Sequence, residues 1–96
     1  MLFAVISEPR PEPPSQAAPN RQRYWIWVEP LIKTGTVKHI YARTGRGALA
    51  IFDVDSNETL HRLIAEWSEI IPARFDIYPL IDAQAAQQFL AKQRGG

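Results

Sequence analysis

The segment that spans residues 36–67 constrains the fold more than any other part of the chain. Two runs rich in apolar and β-branched residues, Thr36–Thr44 and Gly47–Val54, flank the dipeptide Gly45-Arg46. Glycine at the first of two central positions is typical of a tight β-hairpin turn, because glycine adopts a positive φ without strain. The segment therefore predicts a two-stranded antiparallel hairpin.

The length of this turn predicts how the two strands pair. If Thr44 pairs with Gly47, three side chains with useful chemistry share one face of the hairpin. The predicted pairs on this face are Arg43 with Ala48, Tyr41 with Ala50, and His39 with Phe52. On the other face, Lys38 and Asp53 form a pair of opposite charge. The small alanines predict an open space on the first face that a ligand can occupy.

An amphipathic helix is predicted directly after the hairpin. Asp55 is the predicted N-cap, and Glu58 three residues later completes the pattern of a capping box. Apolar residues then recur at helical spacing until Pro72 ends the helix. They are Leu60, Leu63, Ile64, Trp67, Ile70 and Ile71.

Further elements are predicted on both sides of this segment. They are a strand at Leu2–Ser7, a helix that begins near Gln16–Asn20 and ends at Lys33, a strand at Arg74–Leu80, and a helix capped by Asp82 that ends near Lys92. Pro30 predicts irregularity near the end of the first helix. That helix has a broad predicted apolar face, which consists of Tyr24, Trp25, Trp27, Val28, Leu31 and Ile32. Pro79 predicts that the last strand lies at a sheet edge. The proline-rich stretch Glu8–Pro14 is expected to be an exposed loop or an arm on a neighbouring subunit.

The order of these elements is strand, helix, strand, strand, helix, strand, followed by a terminal helix. This is the split βαβ, or ferredoxin-like, α+β arrangement, in which two helices cover one face of a four-stranded antiparallel sheet. The uncovered face must meet water, a ligand or another subunit. With 96 residues, the chain is predicted to form one domain over residues 1–92 and a loose tail at 93–96.

The composition argues against several classes of function. The 11 basic and 10 acidic residues nearly balance, and the predicted third strand lacks the basic and aromatic residues of RNA-binding sheets, so no nucleic-acid partner is expected. The absence of cysteine excludes a thiolate metal site, and no metal is expected. No apolar run approaches the roughly 18 residues of a membrane helix. A cytoplasmic protein without membrane contact is expected.

Four short segments carry a resemblance to a known family. They are Met1–Phe3, Thr36–Ile40 after Gly35, Phe52–Val54 with Ser56, Glu58, Leu60 and His61, and Asp76-Ile77. Together these segments resemble the strands and the second helix of muconolactone isomerases. The family's first strand carries a histidine and a lysine, and the matching positions here are Ala4 and Ile6.

This resemblance implies a ferredoxin-like fold whose sheets pair face to face in a dimeric α+β barrel, often within larger rings. It implies an enzyme that moves a proton within a small unsaturated lactone or carboxylate without a metal or an organic cofactor. Among the family's pocket residues, His39 carries over to this sequence.

The candidate site residues combine this resemblance with the chemistry of their side chains. His39 is the candidate acid–base group, because imidazole exchanges protons near neutral pH. Tyr41 is the candidate to polarise an oxygen, and Arg43 the candidate to bind a carboxylate. The remaining candidates for substrate binding are Arg74, Asp76 and Tyr78 on the last strand, and Trp25 as an aromatic wall.

Two hypotheses about function follow. The first is a cofactor-independent, isomerase-like enzyme in which His39 and Tyr41 catalyse the proton shift. The second is a non-catalytic small-ligand-binding or assembly subunit of the same class, which Ala4 and Ile6 favour. Both hypotheses predict a homodimer or a larger homo-oligomer. An alternative is that the polar candidate residues on the uncovered face of the sheet form a hydrogen-bonded subunit interface.

Overall fold

The structure, a computed structural model, describes residues 1–94 and contains seven elements in the predicted order. They are β1 (Leu2–Pro9), α1 (Pro14–Lys33), β2 (Val37–Ala42), β3 (Ala48–Asp53), α2 (Asn57–Ile70), β4 (Ala73–Leu80) and α3 (Ala83–Arg94). The strands form one sheet in the order β2-β3-β1-β4, and all neighbouring strands are antiparallel. This is the ferredoxin-like α+β fold that the sequence predicts.

The ends of the chain differ slightly from the prediction. β1 continues through Glu8 and Pro9, so the proline-rich stretch contributes two residues to the sheet before the chain turns toward α1. β4 lies at an edge of the sheet, as Pro79 predicts. Residues 93 and 94 belong to α3, which the sequence predicts to end near Lys92. Residues 95 and 96 of the predicted loose tail lie outside the described residues.

The helix-covered face of the sheet carries the hydrophobic core. Side chains alternate along β1 and β3, so Phe3, Val5, Ala50 and Phe52 are buried while the residues between them are only half-buried. The apolar stripe predicted for α2 supplies the opposing layer, with Leu60, Leu63 and Trp67 buried. The core therefore lies between β1 and β3 on one side and the two long helices on the other.

Trp67 contacts aromatic rings from three other elements. Its ring centroid lies 5.1 Å from that of Tyr24 in α1, 6.3 Å from that of Phe52 in β3 and 5.1 Å from that of Phe75 in β4. Burial of a side chain of this size contributes about 1.5–3 kcal/mol, and each aromatic pair adds about 0.5–1.5 kcal/mol. Trp67 is 2% exposed and therefore connects both helices to the sheet.

α1 is one continuous helix although Pro19 and Pro30 lie inside it. The irregularity predicted near Pro30 is not observed, and the N–H of Thr34 donates to the Pro30 carbonyl at 3.0 Å. The apolar face is narrower than predicted: Trp27 and Leu31 pack against the core beside the buried residues, whereas Trp25 and Ile32 are 47% and 41% exposed. The buried residues are Ala17, Tyr24 and Val28.

A polar contact ties α1 to α2 beside the core. The indole N–H of Trp27 donates to Glu66 Oε1 at 2.9 Å, and Arg62 Nη1 lies 3.0 Å from Glu66 Oε2. The hydrogen bond from Trp27, and then the contact with Arg62, hold the pKa of Glu66 below its usual value. The contact satisfies the one polar atom of a tryptophan that otherwise packs among apolar groups.

The N-cap of α2 is Ser56 rather than Asp55. The Ser56 hydroxyl accepts a hydrogen bond from the N–H of Thr59 at 3.1 Å. Asp55 instead accepts from the Thr59 hydroxyl at 2.6 Å, and this bond lowers the pKa of its carboxyl. The predicted start of the helix is therefore displaced by one residue, with both side chains contributing to it.

The predicted register of the hairpin is wrong by one residue. Tyr41 lies opposite Leu49 rather than Ala50, and His39 lies opposite Ile51 rather than Phe52. At the tip, Ala48 pairs with Ala42 rather than with Arg43, which lies outside β2. The ladder is irregular between Val37 and His39, where Lys38 is the additional residue. Lys38 and Asp53 form the predicted ion pair, with 3.6 Å between Nζ and Oδ2, although the two residues are not partners in the ladder.

The register differs because the hairpin loop is longer than a two-residue turn. The loop spans residues 43–47, and the N–H of Arg43 donates to the Gly47 carbonyl at 2.9 Å. Gly45 has the predicted positive φ, and Gly47 has one as well. A slip of one residue moves every side chain to the opposite face. Ala48, Ala50 and Phe52 consequently face the helices, where they are at most 8% exposed.

Gly47 lies against the neighbouring strand and has no room for a side chain. Its φ is +101°, and a Cβ at this position would overlap the carbonyl oxygen of Ser7 in β1. Gly45 has a similar φ of +94°, but a Cβ there would meet nothing within 4 Å. The two positions therefore impose a similar positive φ on any substituted residue and differ in the space left for its side chain.

We expect Gly47→Ala to lower the free energy of unfolding by at least about 3 kcal/mol, because steric overlap adds to the strain of positive φ. The matched control Gly45→Ala carries the strain alone and is expected to cost roughly 1–2 kcal/mol. Urea denaturation of both variants measures the difference. Equal losses of stability in the two variants would contradict the close approach of Gly47 to β1.

Candidate functional site

A cavity of about 170 Å³ lies between the first half of α1, the hairpin loop and the C-terminal end of α2. We call it the α1–hairpin cavity. Its lining includes Ala17 and Tyr24 of α1, Ala48 of β3, and Trp67 of α2. Apolar cavities of about 150 Å³ bind benzene, so this volume suits one six-membered ring with small substituents.

The cavity lining combines aromatic rings with small residues. The Tyr24 ring packs at 5.1 Å from Trp67 and edge-on at 5.5 Å from Trp25. Ala42 and Ala48 also line the cavity, and their short side chains leave the space open. The alanines of β3 were predicted to provide room for a ligand on the open face of the sheet. They lie instead on the helix-covered face, where Ala48 borders this cavity.

Burial defines an inner and an outer end of the cavity. Trp67 and Tyr24 are 2% and 5% exposed, whereas Trp25 is 47% exposed. Arg21 and Arg43 are also exposed and contribute to the lining. A ligand would therefore place its apolar part between the buried rings and its polar part near the arginines.

Three arginines surround the outer end, and they differ in what they contact. Arg46 lies 3.5 Å from Glu12 Oε1 and also donates to the Arg10 carbonyl, which attaches the proline-rich segment to the hairpin loop. Arg43 Nη1 donates to the Ser7 carbonyl at 3.0 Å. Within residues 1–93, no carboxylate lies within 4 Å of Arg21 or Arg43. Arg43 is thus held in place with its charge unpaired, which favours an anionic ligand.

Ser7 is the buried polar residue at the cavity wall, and its hydrogen bonds are already made. Its hydroxyl accepts from the N–H of Ala48 at 2.9 Å and lies 3.5 Å from the Ala48 carbonyl. Ser7 is 3% exposed. It therefore links β1 to the start of β3 and has little capacity left for a ligand.

Tyr24 lines the inner end of the cavity, and its side chain ends in a buried hydroxyl. Burial raises the pKa of its hydroxyl above the usual value, so the group stays protonated. The hydroxyl has no hydrogen-bond partner among the described residues and is shielded from solvent. It is therefore a neutral, unpaired hydroxyl that is enclosed by protein and has no surface open to the cavity.

The open face of the sheet carries most of the other predicted site residues. His39 and Tyr41 project from β2 beside the half-buried Ile51 and Leu49. Arg74, Asp76 and Tyr78 project from β4, as predicted, on the same face as Ala4 and Ile6. Arg74 Nη2 lies 3.4 Å from Asp76 Oδ1.

The predicted site residues do not converge within one chain. One row across the open face runs from His39 through Ile51 and Ala4 to Tyr78. Because β2 and β4 are opposite edges, three strand spacings separate the ends of this row, or about 14 Å. Trp25, Arg43 and part of Tyr41 line the α1–hairpin cavity instead. The predicted residues thus divide between a cavity and two edges of an open sheet.

Tyr24 and Arg21 are among the cavity residues that sequence reasoning did not single out. Tyr24 was assigned to the apolar face of α1, although its hydroxyl is the one polar atom in that buried set. Arg21 lies one helical turn before Trp25, a spacing that brings two side chains together on a helix. Two features of the sequence could have pointed to these residues. Tyr24 carries a hydroxyl among apolar core residues, and Arg21 lies at helical spacing from Trp25.

Residues 1–94 contain neither a cluster of metal ligands nor a helix of membrane-spanning character. No group of three or more His, Asp or Glu side chains in this part of the chain is arranged to hold a metal ion. No helix in the same range has the length and apolar character needed to cross a membrane.

The chain matches one protein family and resembles solved structures of other proteins. Residues 1–94 match the family described as a domain of unknown function, DUF3303. No curated protein sequence matches the chain. The structure is similar to that of 5-chloro-2-hydroxyhydroquinone dehydrochlorinase (TftG) from Burkholderia phenoliruptrix AC1100, in complex with 2,5-dihydroxybenzoquinone. The TM-score is 0.71 and the sequence identity 17%, over 88% of this chain and 98% of that chain.

A crystal structure of muconolactone isomerase is similar to the same degree. Its TM-score is 0.70 and its sequence identity 23%, over 85% of this chain and 90% of that chain. At these identities the likeness establishes the shared fold. The resemblance seen in the short sequence segments is therefore confirmed for the architecture.

Proposed function

We propose that this chain, which belongs to the family described as a domain of unknown function, DUF3303, binds a small, flat, anionic organic molecule in the α1–hairpin cavity. The family description names no activity, so the activity is inferred from the cavity itself. The observation that carries this proposal is the combination of a ring-sized aromatic cavity with an anchored, unpaired guanidinium at its outer end. The names of the two similar structures support it, since one acts on a chlorinated hydroxyhydroquinone and the other on a lactone.

The cavity suits such a ligand in both shape and charge. Tyr24, Trp25 and Trp67 offer faces and edges against which a ring can pack. Arg43 can bind a carboxylate or phenolate through two parallel hydrogen bonds, and Arg21 adds positive charge nearby. A hydrogen bond to a charged group contributes about 1.5–3 kcal/mol.

The chemistry of the lining favours binding over proton transfer. None of the described residues that line the α1–hairpin cavity is a histidine, an aspartate or a glutamate. A proton shift needs a base within hydrogen-bond reach of the reacting carbon. The cavity therefore supports the second hypothesis from the sequence, a ligand-binding member of this fold class.

We expect Arg43→Gln to weaken binding of 4-hydroxybenzoate roughly 10-fold or more, because the variant loses a charged partner for the carboxylate. The matched control is Lys33→Gln, which removes the same charge from an exposed position at the far end of α1. Isothermal titration calorimetry measures both affinities. An unchanged affinity in Arg43→Gln, or an equal loss in the control, would contradict the proposed role of the cavity.

A second candidate function is the cofactor-independent, isomerase-like proton shift on a small unsaturated lactone or carboxylate. It is favoured by His39 and Tyr41, which are exposed on the same face of β2. Here His39 moves the proton and Tyr41 polarises the oxygen. Arg74, Asp76 and Tyr78 bind substrate from β4, about 14 Å away, so this site requires a second copy of the chain to enclose it.

If the open face is catalytic, His39→Ala is expected to reduce turnover of muconolactone by about 10²-fold, because the acid–base group is lost. His61→Ala provides the control, since this second histidine is exposed on α2 away from the open face. Ultraviolet absorbance follows the reaction. Wild-type protein without isomerase activity, or full turnover in His39→Ala, would remove this function from consideration.

The assembly that we propose is a homodimer or larger homo-oligomer joined through the open face. This face carries half-exposed Ile6, Leu49 and Ile51 between its polar edges. α3 leaves Phe89 and Leu90 59% and 51% exposed, which adds apolar surface. Apolar patches of this kind mark interaction surfaces in many soluble proteins.

We expect light scattering at micromolar concentration to give at least twice the mass of one chain. Ile51→Lys is expected to shift the protein toward the monomer, because a charge would be buried at the interface. Ile32→Lys places the same change on the exposed side of α1 and is expected to leave the mass unchanged. A monomeric wild-type protein would overturn this assembly.

A further inference from the structure

Residues 10–13 of the proline-rich stretch connect the end of β1 to the start of α1. Most of this connection is exposed, and Glu12 is its half-buried residue. Within the described residues, the polar contacts of residues 10–12 both come from one side chain of the hairpin loop. The guanidinium of Arg46 donates to the Arg10 carbonyl, and its Nη2 lies 3.5 Å from Glu12 Oε1. Arg46 therefore attaches the connection to the loop.

Arg46 also belongs to the α1–hairpin cavity. It lines both this cavity and a more open groove that borders the connection. The cavity and the groove share Pro9, Arg43 and Gly45 as well, so the two spaces adjoin at the outer end. The outer end thus offers the guanidinium groups of Arg43 and Arg46, and a carboxylate of the chain itself lies against the second one.

We propose that Arg46 is a second anion-binding residue of the cavity and that Glu12 occupies it in the free protein. This inference rests on the proposed function and narrows its ligand class. The ligand is a flat ring that carries two neighbouring anionic groups, as an aromatic 1,2-dicarboxylate does. Arg43 binds one of these groups, and the other displaces Glu12 from Arg46.

The ion pair between Arg46 and Glu12 is weak enough for a ligand to replace. Its N to O distance of 3.5 Å is longer than the roughly 2.7–2.9 Å of a well-formed charge-assisted hydrogen bond. The two side chains are 28% and 32% exposed, and an ion pair accessible to solvent changes an equilibrium constant by only about 1- to 5-fold. A carboxylate that accepts two parallel hydrogen bonds from a guanidinium binds more strongly. A ligand therefore gains more at Arg46 than the loss of Glu12 costs.

Displacement of Glu12 also detaches the connection from the hairpin loop. The two ends of the connection stay fixed, because Pro9 pairs with Ala73 in the sheet and the Pro13 carbonyl accepts the first hydrogen bonds of α1. The prolines restrict the backbone between these ends, so it moves as a stiff unit. A ligand with two anionic groups is therefore expected to move residues 10–12, whereas a ligand with one is not.

Calorimetric titration with benzoate, which has one carboxylate, and phthalate, which has two neighbouring ones, tests this role of Arg46. Glu12→Gln is expected to bind phthalate roughly 3- to 10-fold more tightly than the wild-type protein does, because Arg46 is then unoccupied. Its affinity for benzoate is expected to change by less than about 2-fold. The matched control Glu8→Gln removes the same charge from an exposed position on β1 and is expected to change neither affinity by more than about 2-fold. In an Arg46→Gln background, Glu12→Gln is expected to give no gain.

Nuclear magnetic resonance tests the displacement itself. Arg10 and Glu12 carry the backbone N–H groups of residues 10–13, because the other two residues are prolines. Phthalate is expected to shift both amide signals in the wild-type protein, and benzoate is expected to leave them in place.

Benzoate binding to the wild-type protein, with no gain for phthalate in Glu12→Gln, would overturn the role of Arg46 and leave the proposed function intact. An equal gain in Glu8→Gln would overturn it too, because the gain would then reflect overall charge rather than the contact with Arg46. Phthalate binding without a shift of the Arg10 and Glu12 signals would overturn the displacement. If neither probe binds to the wild-type protein or to Glu12→Gln, the proposed function and this inference fail together.

Discussion

The burial of Trp67 against the sheet is the contact on which the rest of this structure depends. Its ring reaches α1 through Tyr24, β3 through Phe52 and β4 through Phe75. These contacts require Phe52 to face the helices, and the alternation of a strand then places every second residue of β3. The position of the α1–hairpin cavity follows, because Ala48 lies four residues before Phe52 in β3 and therefore on the same face of the sheet.

The two faces of the sheet carry different candidate sites, and the residues of these sites do not meet within one chain. On one face, aromatic residues and an anchored arginine surround a cavity of about 170 Å³. On the other, His39 lies at one edge and Tyr78 at the opposite edge, with apolar residues between them. The proposed ligand binding therefore needs only one chain, whereas the proposed chemistry on the open face needs a second chain to enclose it. This difference in geometry is why binding is the function that the isolated fold supports best.

Local patterns predicted the elements of the fold correctly and their details less well. The order of strands and helices, the edge position of β4 and the buried stripe of α2 all follow from periodicity and from proline positions. The hairpin register did not follow, because Gly47 also adopts a positive φ and lengthens the loop to residues 43–47. The width of the buried face of α1 was overestimated, since Trp25 satisfies helical spacing yet remains half exposed.

The sequence by itself determined which segments are strands and helices, because hydrophobic period, capping residues and turn residues act over only a few positions. It also determined which residue types were available for chemistry, including His39 and Arg43. Tertiary structure alone decided that Arg43 and Tyr24 line the same cavity while His39 lies on the open face of the sheet. The physical reason is that side-chain direction in a strand depends on register, and register is set by packing between distant elements.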